Sequence, residues 1–236
     1  MRGHPRPGRL LGSGRTADVY ALDDEAWVLR RYRDGHGDAP AEAAVMEYVR
    51  GHGYPAPKAR ATTRSDLVME RLSGPTMIGA AAAGELDARE AGTTLARLLI
   101  RLHTIPPRRR SADPATRVLH LDLHPENVIL TPDGPAVIDW DNTEEGPPGL
   151  DWGVSAVILA QVATDTDDDP RAPLAHDILT ALLDGCPDPS LLTDDRRGGL
   201  APARARRAAN PTMSRREVEL LSAAEDLIRT LLKSAH

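Results

Sequence analysis

The stretch that most constrains this chain is residues 120–142: HLDLHPENVIL, a turn at TPDGP, then AVIDWDN. Two short apolar runs, 128–130 and 136–138, flank a Pro/Asp/Gly turn and predict a hairpin of two buried strands. A hairpin needs polar residues in its turn. Here Asp122, Asn127 and Asp139 also stand at the outer edges of the strands, where turn formation does not ask for them. Phosphoryl transfer from a magnesium nucleotide does. It needs a carboxylate to orient an acceptor hydroxyl and take its proton, and oxygen ligands for the hard cation that bridges the phosphates. Asp122 suits the first role, and Asn127 and Asp139 the second.

The Asp-x-x-x-x-Asn spacing with a later Asp is also the order of the protein-kinase catalytic loop and its metal-binding Asp. Asp139-Trp140-Asp141 stands where protein kinases have Asp-Phe-Gly. HLDLHPEN and VIDWDN together resemble the aminoglycoside phosphotransferase family and its small-molecule kinase relatives, in which His-x-Asp-x-x-x-x-Asn is followed by Ile/Val-Asp-Trp. The resemblance runs through residue 153 and thins beyond it, in the region where the family varies with its acceptors. It implies an α+β, protein-kinase-like, two-lobed fold. The small β-rich nucleotide-binding lobe would span 1–72, with a hinge near 70–75, and the helical lobe for catalysis and acceptor binding 73–236. It further implies ATP or GTP as phosphoryl donor, Mg²⁺ as cofactor and a small hydroxylated molecule as acceptor.

Further site residues follow from the same resemblance. GSGRTADV keeps Gly12, Gly14 and Val19 of the kinase glycine loop but has Ala17 at its third glycine. Glycines there let backbone N–H groups approach phosphate oxygens. The strand AWVLRRY offers Arg30 and Arg31, and no lysine, at the phosphate-gripping position. Alternation along a strand lets only one of them face the cleft, and the family's Val-Leu-Lys/Arg register selects Arg30. Arginine can clamp phosphate with its two-pronged fork. Glu42 matches the acid that pairs with this cation, with Glu47 as competitor. Met69, Glu70 and Leu72 match the stretch that meets the adenine edge. Asp151, in GLDWG, resembles a structural Asp that ties down the catalytic loop. His120 is expected to brace that loop, and His124 either braces it or meets substrate. Asp141 is near the metal by sequence, or simply solvated.

Periodicity fills in the rest. Strands are expected at 9–12, 18–22, 26–32 and 66–72, and a helix at 39–50 capped by Asp38. Leu95, Leu98, Leu99, Leu102 and Ile105 recur at helical spacing in 87–105, behind a possible Asp87/Glu90 capping box. Helices are also expected at 150–163, 174–183 and 214–233, the last with Ser214 and Glu217 as a box. Residues 164–170 and 187–209 read as irregular connectors.

Composition narrows the partners. A single cysteine, Cys186, excludes an intrachain disulfide framework, and no secretion-signal core or membrane span is visible, so a cytoplasmic protein is expected. Residues 111–200 carry 4 basic and 18 acidic side chains, whereas 1–110 carry 18 and 13. An acidic middle argues against a nucleic-acid partner and for a cationic acceptor, such as an aminoglycoside or another amine-bearing antibiotic. A choline-like acceptor fits less well, since an aromatic cage needs clustered rings and the chain has 3 Trp, 4 Tyr and no Phe. Nothing recognisable as an activation loop follows Asp139, against a protein kinase. A nucleotide-binding regulator without turnover stays as the alternative, on account of Arg30 and Ala17.

Overall fold

The computed structural model describes residues 5–33, 37–166 and 168–234. Two compact units divide them. One takes in the chain up to Gly74 together with Ile129–Thr143, and the other takes Pro75–Val128 and the chain from Glu144 on. The sequence suggests one boundary, after residue 72. In the structure the chain leaves the first unit near that point and then returns to it for the hairpin.

The first unit is an antiparallel sheet with one helix. Strands β1 (Leu10–Ser13), β2 (Ala17–Ala21), β3 (Trp27–Tyr32), β4 (Ala59–Ala61) and β5 (Asp66–Glu70) lie in the order β1-β2-β3-β5-β4. Along β3, Val28, Arg30 and Tyr32 share one buried face, and on the other face Trp27 and Arg31 are half-exposed while Leu29 between them is fully buried. Helix α1 (Ala39–Gly51) starts where Asp38 accepts the Ala41 N–H, and it buries Ala39, Glu42, Val45, Met46 and Val49. The hairpin Val128–Thr131/Gly134–Val137 joins this unit through Val137 N–H, which donates to Pro55 O at 2.8 Å. Gly74 permits the same packing. Its φ is +138°, and a Cβ there would lie 2.0 Å from Leu130 O.

The second unit is helical. Helix α2 (Met77–Ala82) precedes α3 (Ala88–Leu102), whose Asp87 cap accepts the N–H groups of Arg89 and Glu90. Leu95, Leu98, Leu99 and Leu102 all turn inward, each worth roughly 1.5–3 kcal/mol of burial. Helix α4 (Pro148–Thr164) is buried on nearly every side, and α5 (Ala172–Asp184) packs on both α3 and α4. A two-stranded ribbon, Arg117–Leu119 with Glu144–Gly146, brackets the catalytic-loop sequence. No helix among the described residues is long and apolar enough to cross a membrane.

Two expectations need correction here. Residues 187–209 are not irregular: they form α6 (Ser190–Thr193), a 3-10 turn and α7 (Leu200–Ala208). Leu191, Leu192, Leu200 and Ala203 are buried, and their neighbour is α4. Gly149 and Gly153 of α4 make room for them. A Cβ on the first would stand 2.2 Å from Leu191 O, and on the second 2.7 Å from Ala203 Cβ. The helix expected over 214–233 is two, α8 (Arg215–Glu219) and α9 (Leu221–Ser234). The Ser214/Glu217 capping box is present, but the break at Leu220 leaves Val218 41% exposed while Leu221, Ala224 and Ile228 are buried.

Candidate active site

Each unit carries part of the sequence motif. In the first, the part is a network of buried charge around Arg30. Strand alternation sends Arg30 inward, where it is 5% exposed. Its Nη1 donates to Glu42 Oε1 at 2.7 Å, and its Nη2 donates to Asp139 Oδ1 at 2.5 Å and Asp141 Oδ2 at 3.4 Å. Burial alone would lower the Arg30 pKa, but Asp139, Glu42, Tyr32 and Asp141 outweigh it and hold the guanidinium charged. Glu42 also accepts the Tyr32 hydroxyl at 2.5 Å and the Trp140 N–H at 3.1 Å. Burial still pushes its carboxyl above the ordinary value, against the pull of Arg30 and Tyr32. Glu47, the competitor for this place, is exposed. Asp141 is not simply solvated. The residue as a whole is exposed, but its side chain is only 21% exposed and lies beside Arg30; this partial burial, then the neighbouring Asp139, push it up to about 8 in spite of Arg30.

Asp139 has φ +67°, an uncommon conformation for a residue other than glycine. Trp140 fixes the turn. It is 1% exposed, its Nε1 donates to Val137 O at 3.0 Å, and its ring meets Tyr54 edge-on at 5.5 Å. Arg31 lies on the opposite face of β3 and forms a two-pronged pair with Asp66, both bonds at 2.8 Å.

The glycine-loop residues close the end of the same sheet. Gly14 N–H donates to Ala17 O at 2.8 Å, and Val19 pairs with Arg30 across β2 and β3. A Cβ at Gly12 would meet nothing within 4 Å, and neither Gly12 nor Gly14 has a positive φ. Gly12 stands where the β1–β2 register shifts, a bulge-like place that suits glycine. Arg33 braces this loop from the end of β3, donating to Gly14 O and to Ser13 Oγ. Met69 and Glu70 sit opposite Val28 and Trp27 at the end of β5, half-exposed, with Leu72 just beyond. The Glu70 carboxylate accepts the Lys58 N–H at 3.2 Å.

In the second unit, Leu121 and Leu123 are buried and Asp122 between them is turned outward, its side chain 22% exposed. Asn127 Nδ2 donates to Asp122 O at 2.9 Å and approaches Asp122 Oδ2 at 3.3 Å. His124 Nε2 lies 3.2 Å from the same amide and 3.7 Å from Asp122 Oδ1, so it belongs to this loop cluster. Asp151, wholly buried in the first turn of α4, holds the loop from below. It accepts the N–H of His120 at 2.9 Å and of Leu121 at 2.8 Å, and His103 Nε2 lies 3.0 Å away. Burial would raise its pKa, but His103 and the His120 N–H bond outweigh that and leave it lowered. Leu121 has φ +61°, so the loop is held in an unusual conformation one residue before Asp122.

Tyr32, Arg33 and His103 did not enter the sequence reading. Strand alternation could have found Tyr32, two residues beyond Arg30 on the same face. His103 and Arg33 carry no local signal, because their partners lie far along the chain or in backbone. Several of the acids behind the negative balance of residues 111–200, among them Glu144, Glu145 and members of the run 165–169, are paired. Arg206 lies on Glu144 at 2.8 Å, Arg108 N–H on Glu145 at 2.7 Å, Arg216 on Asp165 at 2.6 Å and Arg171 on Asp169 at 2.8 Å. Asp167, in the same acidic run, lies outside the described residues.

A β-rich unit with its glycine loop, buried cation–acid pair and Asp-Trp-Asp turn, together with a helical unit bearing the Asp/Asn loop, defines an α+β fold of the protein-kinase-like class. The chain belongs to the phosphotransferase enzyme family (APH), whose model matches residues 7–114 and 108–209. Solved structures agree on the fold. Amicoumacin kinase hAmiN in complex with AMP-PNP, Ca²⁺ and Ami aligns with a TM-score of 0.59 at 14% identity, over 96% of this chain and 89% of that one. The streptomycin–ATP–APH(2")-IIa ternary complex aligns with a TM-score of 0.57 at 13% identity, over 97% and 94%. An ethanolamine kinase of Plasmodium vivax gives 0.56 at 12% identity, over 96% and 81%. No curated protein has a significant match to the sequence.

Proposed function

We propose that this protein transfers the γ-phosphate of ATP or GTP to a hydroxyl of a small, cationic molecule. The observation that carries this reading is the Asp122–Asn127 pair, hydrogen-bonded within one loop of a chain whose family model spans both motifs. In this mechanism Asp122 accepts a hydrogen bond from the acceptor hydroxyl, orients its oxygen and takes its proton as the phosphoryl group arrives. Asn127 Nδ2 steadies that carboxylate. Arg30, kept charged by its carboxylates, donates to phosphate oxygens, and Glu42 holds Arg30 in place. Gly12 and Gly14 let backbone N–H groups approach the phosphates, and Met69, Glu70 and Leu72 border the base.

The donor chemistry fits Mg²⁺. Asp139 and Asn127 offer hard oxygen atoms, and Mg²⁺ characteristically takes one or two carboxylates together with substrate phosphates, not a protein cage. When bound, the ion would supply charge neutralisation at the phosphates.

A cationic acceptor is supported by the acidic balance of residues 111–200. Arginines cancel much of that balance at Glu144 and Glu145, so those two acids are poor reporters of it. The informative measurement is acceptor KM across a salt series, which should rise with ionic strength more than kcat falls. A salt-independent KM would point to a neutral acceptor.

The function itself is tested by a Mg²⁺-dependent ATP and GTP consumption screen against amines, sugars and antibiotics. Acceptor-dependent turnover with one class of hydroxylated amine is the expected result. Nucleotide bound but never consumed, whatever the acceptor, would instead favour the regulator without turnover.

A further inference from the structure

An arginine and a carboxylate left to themselves close into a fork, with two parallel N–H···O bonds. Arg30 and Glu42 do not. Arg30 Nη1 donates to Glu42 Oε1 at 2.7 Å, an oxygen that also accepts the Trp140 N–H at 3.1 Å. Glu42 Oε2 is taken by the Tyr32 hydroxyl at 2.5 Å. The second amino group of Arg30 is not on Oε2: it reaches Asp139 Oδ1 at 2.5 Å. Tyr32 is suited to enforce this. It lies two residues beyond Arg30 on the same face of β3, is 4% exposed, and sets its ring 4.9 Å from the guanidinium carbon.

We propose that Tyr32 is a positioning residue: its short hydrogen bond turns Glu42 Oε2 toward the phenol and its ring backs the guanidinium, so that Arg30 meets Glu42 with one amino group and keeps Nη2 directed at Asp139 and the nucleotide phosphates. This rests on the reading of Arg30 as the phosphate-gripping cation. It also explains what arginine does here that lysine would not. An ammonium is a single point charge and cannot divide itself between an anchoring acid and a second partner in fixed directions. A planar fork can, provided something stops both prongs from closing on the anchor. Removing the hydroxyl frees Oε2, and the fork should then close on Glu42.

The test is binding of Mg²⁺–AMP-PNP to the full chain by calorimetry, with thermal melting as a check on folding. Tyr32→Phe should weaken binding on the order of 10-fold, the scale of one impaired hydrogen bond to a charged group. In an Arg30→Lys background, the same Tyr32→Phe change should alter affinity by less than about 2-fold, because lysine has no second prong to lose. Equal losses in both backgrounds would make the hydroxyl merely structural and overturn the proposal, as would wild-type affinity in Tyr32→Phe. Should Arg30→Lys bind too weakly to measure, a crystal structure of the Tyr32→Phe variant decides. A two-pronged Arg30–Glu42 pair is expected, and a single-pronged pair with Nη2 still on Asp139 would contradict it. A wild-type protein that binds no nucleotide would overturn the proposed function itself, and this inference with it.

Discussion

Glu42 and Asp151 are two buried carboxylates doing similar work in different units, and their electrostatics are opposite. Each sits in the first turn of a helix, α1 or α4. Each accepts backbone N–H from a loop that contains a left-handed, non-glycine residue: Asp139 precedes the Trp140 N–H held by Glu42, and Leu121 gives its own N–H to Asp151. Yet the Glu42 pKa is raised and the Asp151 pKa lowered. The partners explain the difference. Asp151 gathers two backbone N–H groups and His103, and these overcome burial. Glu42 shares its cation with Asp139, whose negative charge works with burial against ionisation. One carboxylate is an anchor that favours its charge. The other is a hub that tolerates it.

The comparison can be broken by amide substitutions, which keep shape and remove charge. Asp151→Asn should destabilise by about 1–3 kcal/mol, the cost of leaving a buried N–H without its acceptor. Whichever way the amide turns, its NH₂ faces a backbone N–H that needs an acceptor. Glu42→Gln should cost only about 1 kcal/mol, because its carbonyl can serve Arg30 and Trp140 while its NH₂ donates to the Tyr32 oxygen. Chemical denaturation of both variants checks this, and equal losses would erase the distinction.

Acid titration sharpens it. Asp151, with its folded pKa lowered, contributes stability that is present above the ordinary Asp value of about 3.9 and lost as pH falls through the folded value. Glu42 has the opposite sign: its contribution is present below the ordinary value of about 4.3 and is lost as pH rises through the raised one. Stability measured against pH should therefore show Asp151→Asn closing on wild type in acid. Glu42→Gln should gain on wild type as pH rises.

Nucleotide binding separates the two arginines of β3. Arg30→Ala should weaken nucleotide binding by roughly 1.5–3 kcal/mol, the scale of a hydrogen bond to a charged group. Arg31→Ala should leave nucleotide affinity alone and lower stability by about 1 kcal/mol or less, since its pair with Asp66 is partly exposed. Nucleotide titrations and melts of the two variants would expose a register error if the outcomes were exchanged.

What could be read in the sequence was what chemistry or a local signal fixes. Asp122, Asn127 and Asp139 stood out because phosphoryl transfer demands those residue types in that order. Helices α1 and α3 stood out because Asp38 and Asp87 mark their starts. Residues 187–209 looked irregular because α6 and α7 owe their burial to α4, whose Gly149 and Gly153 open the needed space, and a tertiary contact leaves little periodicity in four- and nine-residue helices. The supports of the candidate site were hidden for a related reason. His103 reaches Asp151 across 48 positions, and no neighbour of Leu121 in sequence announces its left-handed backbone.

The central claim is that Asp122 acts on the acceptor hydroxyl and does not serve to hold the fold together. Its most direct test is kcat of a folded Asp122→Asn variant with the best acceptor found, at saturating nucleotide. The account predicts a fall on the order of 10²–10⁴, the range for a positioned proton acceptor, with the melting temperature and nucleotide affinity retained. Near-normal kcat in that folded variant would contradict it.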